Sequence, residues 1–450
     1  MSSSLGAAGS WHHEHTDLYV ALNQPVVSYD ALRRSARRGL PEGCGIRPLT
    51  WMLLLHAAPL DNALRAGRRA EHLESYWKFV DMFIGESIEA AHANLERKHR
   101  VLLTRIQNDI NRTMRVHFLF NNSTTHSDAL VRILFVFAML WPQIGYVQGL
   151  NEIVGPLYYV FQKDHVVGHA PAPAEVEADT FFAFMNLISK LHFFIEDMDT
   201  TSSGIVAIMK QVYEILRELD PQLWLHLTSL GIEPAYYALR WFTTIFTREF
   251  SLPDSCRLWD TLFTMDQPEM IPYMQSFSCA MLISVRDSLF DRSHDAALLL
   301  LQDYPPTIGM EYLLHVCNVI HSGKVQSITW SPKPGPDRSY RRPGVQLPKR
   351  LLNIFKQQHR SRESDSSSDT AVVHRNAPHP MSKMAALPHP LPPRRSSPKT
   401  DLVALKIALV IDDDDIDDMT QASARVQVVI SVIGHRARHP PPRLIRQSSK

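Results

Sequence analysis

Residues 128–141, DALVRILFVFAMLW, constrain this chain more than any other stretch. Apolar side chains cover nearly every face of the helix they would form, and Pro142 ends it. A helix without a polar face must be surrounded, so the rest of the chain has to supply a shell of helices around it. Its longest uninterrupted apolar run, Ile133 to Trp141, is nine residues, short of the roughly 18–20 that span a membrane. The expectation is a central, buried helix capped by Ser127 or Asp128.

The neighbouring sequence supplies that shell. In 100–112, RVLLTRIQNDINR, residues Leu103, Ile106 and Ile110 form one apolar stripe. Similar periodicity predicts helices over 180–194, 205–219, 235–250, 254–264 and 274–290, punctuated at Asp220-Pro221, Glu233-Pro234 and Leu252-Pro253-Asp254. Alternating strand patterns and fixed-period repeats are absent from this body. The expected fold is all-α: one large irregular helical domain over residues 31–323, preceded by a partly disordered N-terminal extension at 1–30.

Residues 324–450 differ in texture. They hold 15 of the 30 prolines, with runs such as RESDSSSD and LPHPLPPRRSSP. Such sequence buries little and breaks helices, so a mostly disordered, low-complexity basic Pro/Ser-rich tail is expected. Two short apolar pieces, 402–411 and 426–433, interrupt it without suggesting a function. The formal net charge of +1 hides an asymmetry: 25 Lys/Arg face 35 Asp/Glu in residues 1–323, against 22 and 11 in residues 324–450. An acidic body is a poor nucleic-acid binder, so no nucleic-acid partner is expected.

Four scattered cysteines without a C-x-x-C pair, and an N-terminus without basic and apolar regions, point to a soluble protein of a reducing compartment. The run HHEH at 12–15 lacks a rigid ligand-bearing face, so no metal site is expected. No P-loop and no G-x-S-x-G elbow occurs.

Two polar clusters remain inside apolar sequence. In Ile106-Gln-Asn-Asp109-Ile-Asn-Arg112-Thr113, Asp109 and Arg112 are helical neighbours, and Arg105 lies four before Asp109, so one carboxylate can hold two guanidinium groups. By spacing alone this also describes a surface ion-pair face, worth under ~1 kcal/mol. Gly145-Tyr146-Val-Gln148-Gly149-Leu-Asn151-Glu152 follows the central helix, with glycines that allow close backbone approach. Alone it also reads as a polar loop between core helices.

In order along the chain, these clusters and others resemble the TBC domain, the Rab GTPase-activating module. Arg47-Pro-Leu-Thr-Trp51 is similar to its early R-x-x-x-W motif, and Ile106-x-x-Asp109-x-x-Arg112 to its I-x-x-D-x-x-R motif. Tyr146-Val-Gln148-Gly149 is similar to Y-x-Q-G, while Arg240-Trp241 and Arg257-Leu-Trp259-Asp260 resemble later structural signatures. The segments 146–161, 177–187 and 300–305 look nearest to the member-thirteen type within the family.

The resemblance implies a GTPase-activating protein acting on a Rab-family small GTPase in its GTP form, in vesicle trafficking. Arg112 is then an arginine finger and Gln148 a glutamine finger, with Asp109 orienting Arg112 and Tyr146 positioning the Gln148 loop. Arg47, Trp51, Arg240, Trp241, Trp259 and Asp260 are structural. The chain needs no cofactor of its own, because GTP and Mg²⁺ arrive with the partner. A cytoplasmic protein recruited transiently to endomembranes is expected, since Rab substrates are lipid-anchored. One departure stands beside the finger: Met114-Arg115 replaces the Phe-Pro often seen there, which bears on partner choice. Two other readings differ in class: a non-catalytic Rab-binding scaffold with the same fold, and an adaptor acting through a polyproline II segment of the Pro-rich tail.

Overall fold

The structure, a computed structural model, describes residues 16–113, 124–165, 170–191 and 204–323. All of them belong to the first of the two units into which the chain divides, residues 1–348. HHEH, Met114-Arg115 and the Pro-rich tail with its two apolar pieces lie outside the described residues.

Among the described residues there are seventeen α-helices, one 3-10 turn (Pro234–Tyr236) and a single isolated bridge, Val26 to Asp61. The helices are α1 Thr16–Leu22, α2 Tyr29–Ala36, α3 Ile46–Leu54, α4 Asn62–Phe83, α5 Ile88–Asn94 and α6 Arg97–Ile110. They continue as α7 Thr124–Leu140, α8 Leu150–Lys163, α9 Pro173–Lys190, α10 Ile205–Leu219, α11 Pro221–Ser229 and α12 Ala238–Thr243. The last five are α13 Leu252–Leu262, α14 Gln267–Ser284, α15 Arg286–Phe290, α16 His294–Gln302 and α17 Met310–His321. None is long and apolar enough to cross a membrane.

The apolar helix α7 is central, as its composition requires. It packs against α4, α6, α8 and α9, with Ile133 to Ala138 all buried. Complete burial of each such large apolar side chain contributes about 1.5–3 kcal/mol. Its one basic residue, Arg132, is neutralised on α9: Nε and one terminal nitrogen each lie 2.7 Å from a Glu177 oxygen, and the Tyr76 hydroxyl donates to the same carboxylate at 2.6 Å. The second half of the body is built on α14, which packs on α10 and α17.

Several expected boundaries shift, each for a local reason. α7 begins at Thr124, ahead of the expected Ser127 or Asp128 cap. The predicted helix over 180–194 begins at Pro173, where proline loses nothing at the first turn and the Glu175 side chain accepts from the Ala172 amide at 3.2 Å. The stretch 235–250 is not one helix. After α12 the backbone enters the left-handed region at Ile245 and Phe246, with φ of 47° and 62°, and the Ile245 carbonyl accepts the Trp259 indole N–H at 3.1 Å. The stretch 274–290 splits into α14 and α15 at Val285. Ahead of residue 31, Leu18, Leu22 and Val27 are buried, so the packed body includes α1 and the start of α2.

Candidate functional site

Helix α6 lays Leu103, Ile106 and Ile110 into the core and ends at Ile110. Two turns follow: the Arg112 N–H donates to the Asp109 carbonyl at 3.2 Å, and that of Thr113 to the Ile110 carbonyl at 2.9 Å. This places Asp109 inside and Arg112 outside. The Asp109 side chain is 3% exposed and that of Arg112 is 62% exposed. Arg112 nevertheless reaches back, donating from Nε to Asp109 Oδ1 at 3.1 Å and again from a terminal nitrogen to the same oxygen.

The second cluster lies on the connection from α7 to α8. Gly145 sits at φ 61° and its N–H caps the Trp141 carbonyl at 2.8 Å. Gly149 sits at φ 118°, and a Cβ there would lie 2.8 Å from the Thr243 carbonyl oxygen. Glycine is thus required both by conformation and by contact. Between them Tyr146 turns inward, and its hydroxyl lies 2.9 Å from Asp109 Oδ2 and 3.2 Å from Asn151 Oδ1. A phenol has one proton to donate, and it points to the carboxylate, the stronger of the two acceptors. Burial, reinforced by Asp109, pushes the Tyr146 hydroxyl well above its ordinary pKa, so it stays a donor.

A second bridge runs beside the first. Asn151 Oδ1 accepts the Gly149 N–H at 3.0 Å, and Asn151 Nδ2 donates to Thr113 Oγ1 at 2.6 Å. The Thr113 hydroxyl in turn donates to the Asp109 carbonyl at 2.8 Å. One residue further, Glu152 is buried and accepts from Arg248 at 2.7 Å. Burial raises the Glu152 pKa while Arg248 opposes the rise.

The two polar clusters therefore meet. Asp109, Arg112 and Tyr146 form one hydrogen-bonded group, and Gln148 lies on the loop that Tyr146 and Gly149 anchor. Gln148 is half-buried and makes no hydrogen bond to a described residue. One expectation is corrected: Arg105 does not share the Asp109 carboxylate. Its guanidinium instead lies over the Tyr146 ring, 5.5 Å from the centroid, where the face of the ring attracts it.

The remaining motif residues form separate clusters. Asp260 is fully buried and accepts from Arg47 Nε at 3.0 Å, the Trp51 indole at 2.9 Å and the Leu40 amide at 2.9 Å. Trp51 and Trp259 pack with ring centroids 5.9 Å apart. Arg240 forks onto Glu249 at 2.6 and 2.7 Å, and Trp241 packs between Tyr237 and Tyr304.

Sequence reasoning gave no role to Thr113 or Asn151. Their signal was position: one follows Arg112, and the other stands two after Gly149, where an Asn side chain can reach back to the glycine N–H. A cleft of about 500 Å³ bordered by Arg65, Arg68, His72 and Asp164 includes none of the residues of this network. No cluster of three or more His, Cys, Asp or Glu among the described residues is arranged to hold a metal.

The model of the Rab-GTPase-TBC domain family matches residues 44–290. TBC1 domain family member 13 of Homo sapiens is 28% identical over 396 residues, covering 68% of this chain and 96% of that protein. Its Mus musculus namesake is 39% identical over 205 residues, covering 45% and 48% of the two chains. The solved Ypt/Rab-GAP domain of Gyp1p superposes with a TM-score of 0.61 at 21% identity, covering 69% of this chain and 98% of that domain. At that identity the superposition speaks for the fold.

Proposed function

Because the chain belongs to the Rab-GTPase-TBC domain family, we propose that it accelerates GTP hydrolysis on a Rab-family GTPase by inserting Arg112 and Gln148 into the partner's nucleotide site. A Rab GTPase is the partner and vesicle trafficking the setting. In GTP hydrolysis, charge develops on the transferring phosphoryl group, and catalysis consists of placement and electrostatic stabilisation. Arg112 brings a permanently charged planar fork to those oxygens. Such a residue supplied in trans raises the rate by about 10³ to 10⁵, or roughly 4–7 kcal/mol of barrier. Gln148 orients the attacking water, for which an amide that both donates and accepts is suited.

The observation that carries this reading is the convergence on Asp109: the carboxylate that holds Arg112 also holds Tyr146, two residues before Gln148. An exposed arginine and an uncommitted amide on one braced platform suit a role completed only by a partner. The partner is engaged in its GTP form, and GTP and Mg²⁺ come with it. The protein works in the cytoplasm and visits endomembranes transiently, where its lipid-anchored partner resides.

The test is single-turnover GTP hydrolysis across a panel of Rab proteins, with and without the full-length chain. Acceleration of at least one member is expected. Binding of GTP-loaded members without acceleration of any would instead favour the scaffold reading.

A further inference from the structure

We propose that Asn151 is a positioning residue that holds the Gln148 loop in register with Arg112, through Thr113. This role rests on the proposed function. Neither finger has a bond to the other that could set their spacing. Arg112 projects from a turn beyond α6, Gln148 makes no hydrogen bond to a described residue, and their backbones belong to segments 36 residues apart. The spacing must come from what fastens those backbones together.

Two fastenings are present, on opposite sides of Gln148. Before it, Tyr146 reaches the Asp109 side chain. After it, the Gly149 N–H is held by Asn151 Oδ1, and Asn151 Nδ2 reaches the Thr113 hydroxyl, next to Arg112. The Asn151 amide thus joins the residue following one finger to the residue following the other.

The chemistry at each end is directional. Gly149 offers a donor, so Asn151 must present an acceptor there. The Thr113 hydroxyl spends its one proton on the Asp109 carbonyl, so it must accept, and Asn151 must present a donor. Only a carboxamide meets both demands within a short side chain. An aspartate would meet the first, fail the second and add a carboxylate beside Asp109 and Glu152. Asn151 is 5% exposed and Thr113 is 4% exposed, so both ends of the link lie inside the fold. Reaction geometry is unforgiving: a displacement of about 1 Å costs roughly 10²-fold in rate.

The experiment uses the full-length chain and the GTP-loaded Rab protein that it accelerates most, with rate and half-saturation measured in single turnover. Asn151→Ala and Thr113→Val are each expected to lower the maximal rate by roughly 10²-fold, with half-saturation unchanged. The double variant is expected to be no worse than either single one, because both break the same link. Thr113→Ser, which keeps the hydroxyl, is expected to restore the rate.

Circular dichroism and melting establish that each variant is folded. Should Asn151→Ala fail to fold, Thr113→Val, which exchanges a hydroxyl for a methyl, decides the matter. Folded variants with wild-type maximal rates, or with raised half-saturation alone, overturn the positioning role. If Arg112→Ala and Gln148→Ala still lose activity in that case, the proposed function stands without it. If Arg112→Ala keeps the wild-type rate, or no panel member is accelerated, both proposals fall.

Discussion

The Tyr146 hydroxyl lies 2.9 Å from Asp109 Oδ2, while Oδ1 of the same carboxylate holds the Arg112 guanidinium. One buried charge thus ties a helix end to a loop 37 residues away. Asp109→Asn keeps the shape but removes the negative charge that faces Arg112, and its NH2 can be accommodated only if the Tyr146 hydroxyl gives up Asp109 and turns its proton to Asn151 Oδ1, 3.2 Å away. The variant is expected to lose about 1–3 kcal/mol of stability and most of the acceleration of GTP hydrolysis. Tyr146→Phe, which removes only the neutral partner, is expected to cost less in rate. Denaturant unfolding together with single-turnover hydrolysis checks both.

The Arg47–Asp260–Trp51 cluster carries a different expectation, because it braces the fold away from the fingers. Asp260→Ala leaves the Arg47 charge buried and is expected to cost about 3–5 kcal/mol. Glu42 also approaches Arg47, at 3.3 Å, but its side chain is 59% exposed. Glu42→Ala should cost no more than ~1 kcal/mol. Urea melts of the two variants, compared with wild type, measure the contrast.

Gly149 and Gly67 make a matched pair. At Gly149 a methyl group meets the Thr243 carbonyl at 2.8 Å and the backbone is left-handed, whereas at Gly67, inside α4, nothing lies within 4 Å. Gly149→Ala is expected to destabilise by at least ~1–3 kcal/mol and to disturb the adjoining Gln148. Gly67→Ala is expected to stabilise by about 0.5–1 kcal/mol through helix propensity. Thermal melting separates the two signs.

These contrasts also mark what could be read from the sequence. The centrality of α7 followed from its lack of any polar face, and the stripe Leu103, Ile106, Ile110 followed from helical period; both are local properties of the chain. The break at Ile245 and Phe246 was illegible, because their left-handed backbone is imposed by packing and by the Trp259 indole. In the site, the Asp109–Arg112 pair was legible because it spans one helical turn. Arg105 was misjudged for the same reason in reverse: its nearness to Asp109 along the helix was visible, but the Tyr146 ring that its guanidinium lies over, distant in sequence, was not. The Asn151–Thr113 link is wholly tertiary and left no periodic trace.

Lys190 yields a pH prediction. It is 6% exposed, and Nζ donates to the Leu54 and Met265 carbonyls at 3.1 and 3.5 Å. Burial lowers its pKa from 10.5 to about 8, with Asp266 opposing and Arg33 adding to the fall. Because the folded value is the lower, the unfolded chain binds the proton more tightly between about 8 and 10.5, and the Lys190 contribution to stability rises with pH across that window. Lys190→Met removes the titration. The unfolding free energy of wild type minus that of the variant should therefore climb from pH 8 to 10.5; a flat difference would count against it.

Whether Arg112 and Gln148 act as fingers is decided by single-turnover GTP hydrolysis on one responsive Rab protein, comparing wild type with Arg112→Ala, Arg112→Lys and Gln148→Ala under conditions where each variant is folded. Arg112→Ala is expected to lose about 10³ to 10⁵ of the acceleration, lysine is expected not to rescue it for want of the planar fork, and Gln148→Ala is expected to be severely impaired as well. Folded Arg112→Ala or Gln148→Ala protein that accelerates hydrolysis as well as wild type would contradict the finger roles.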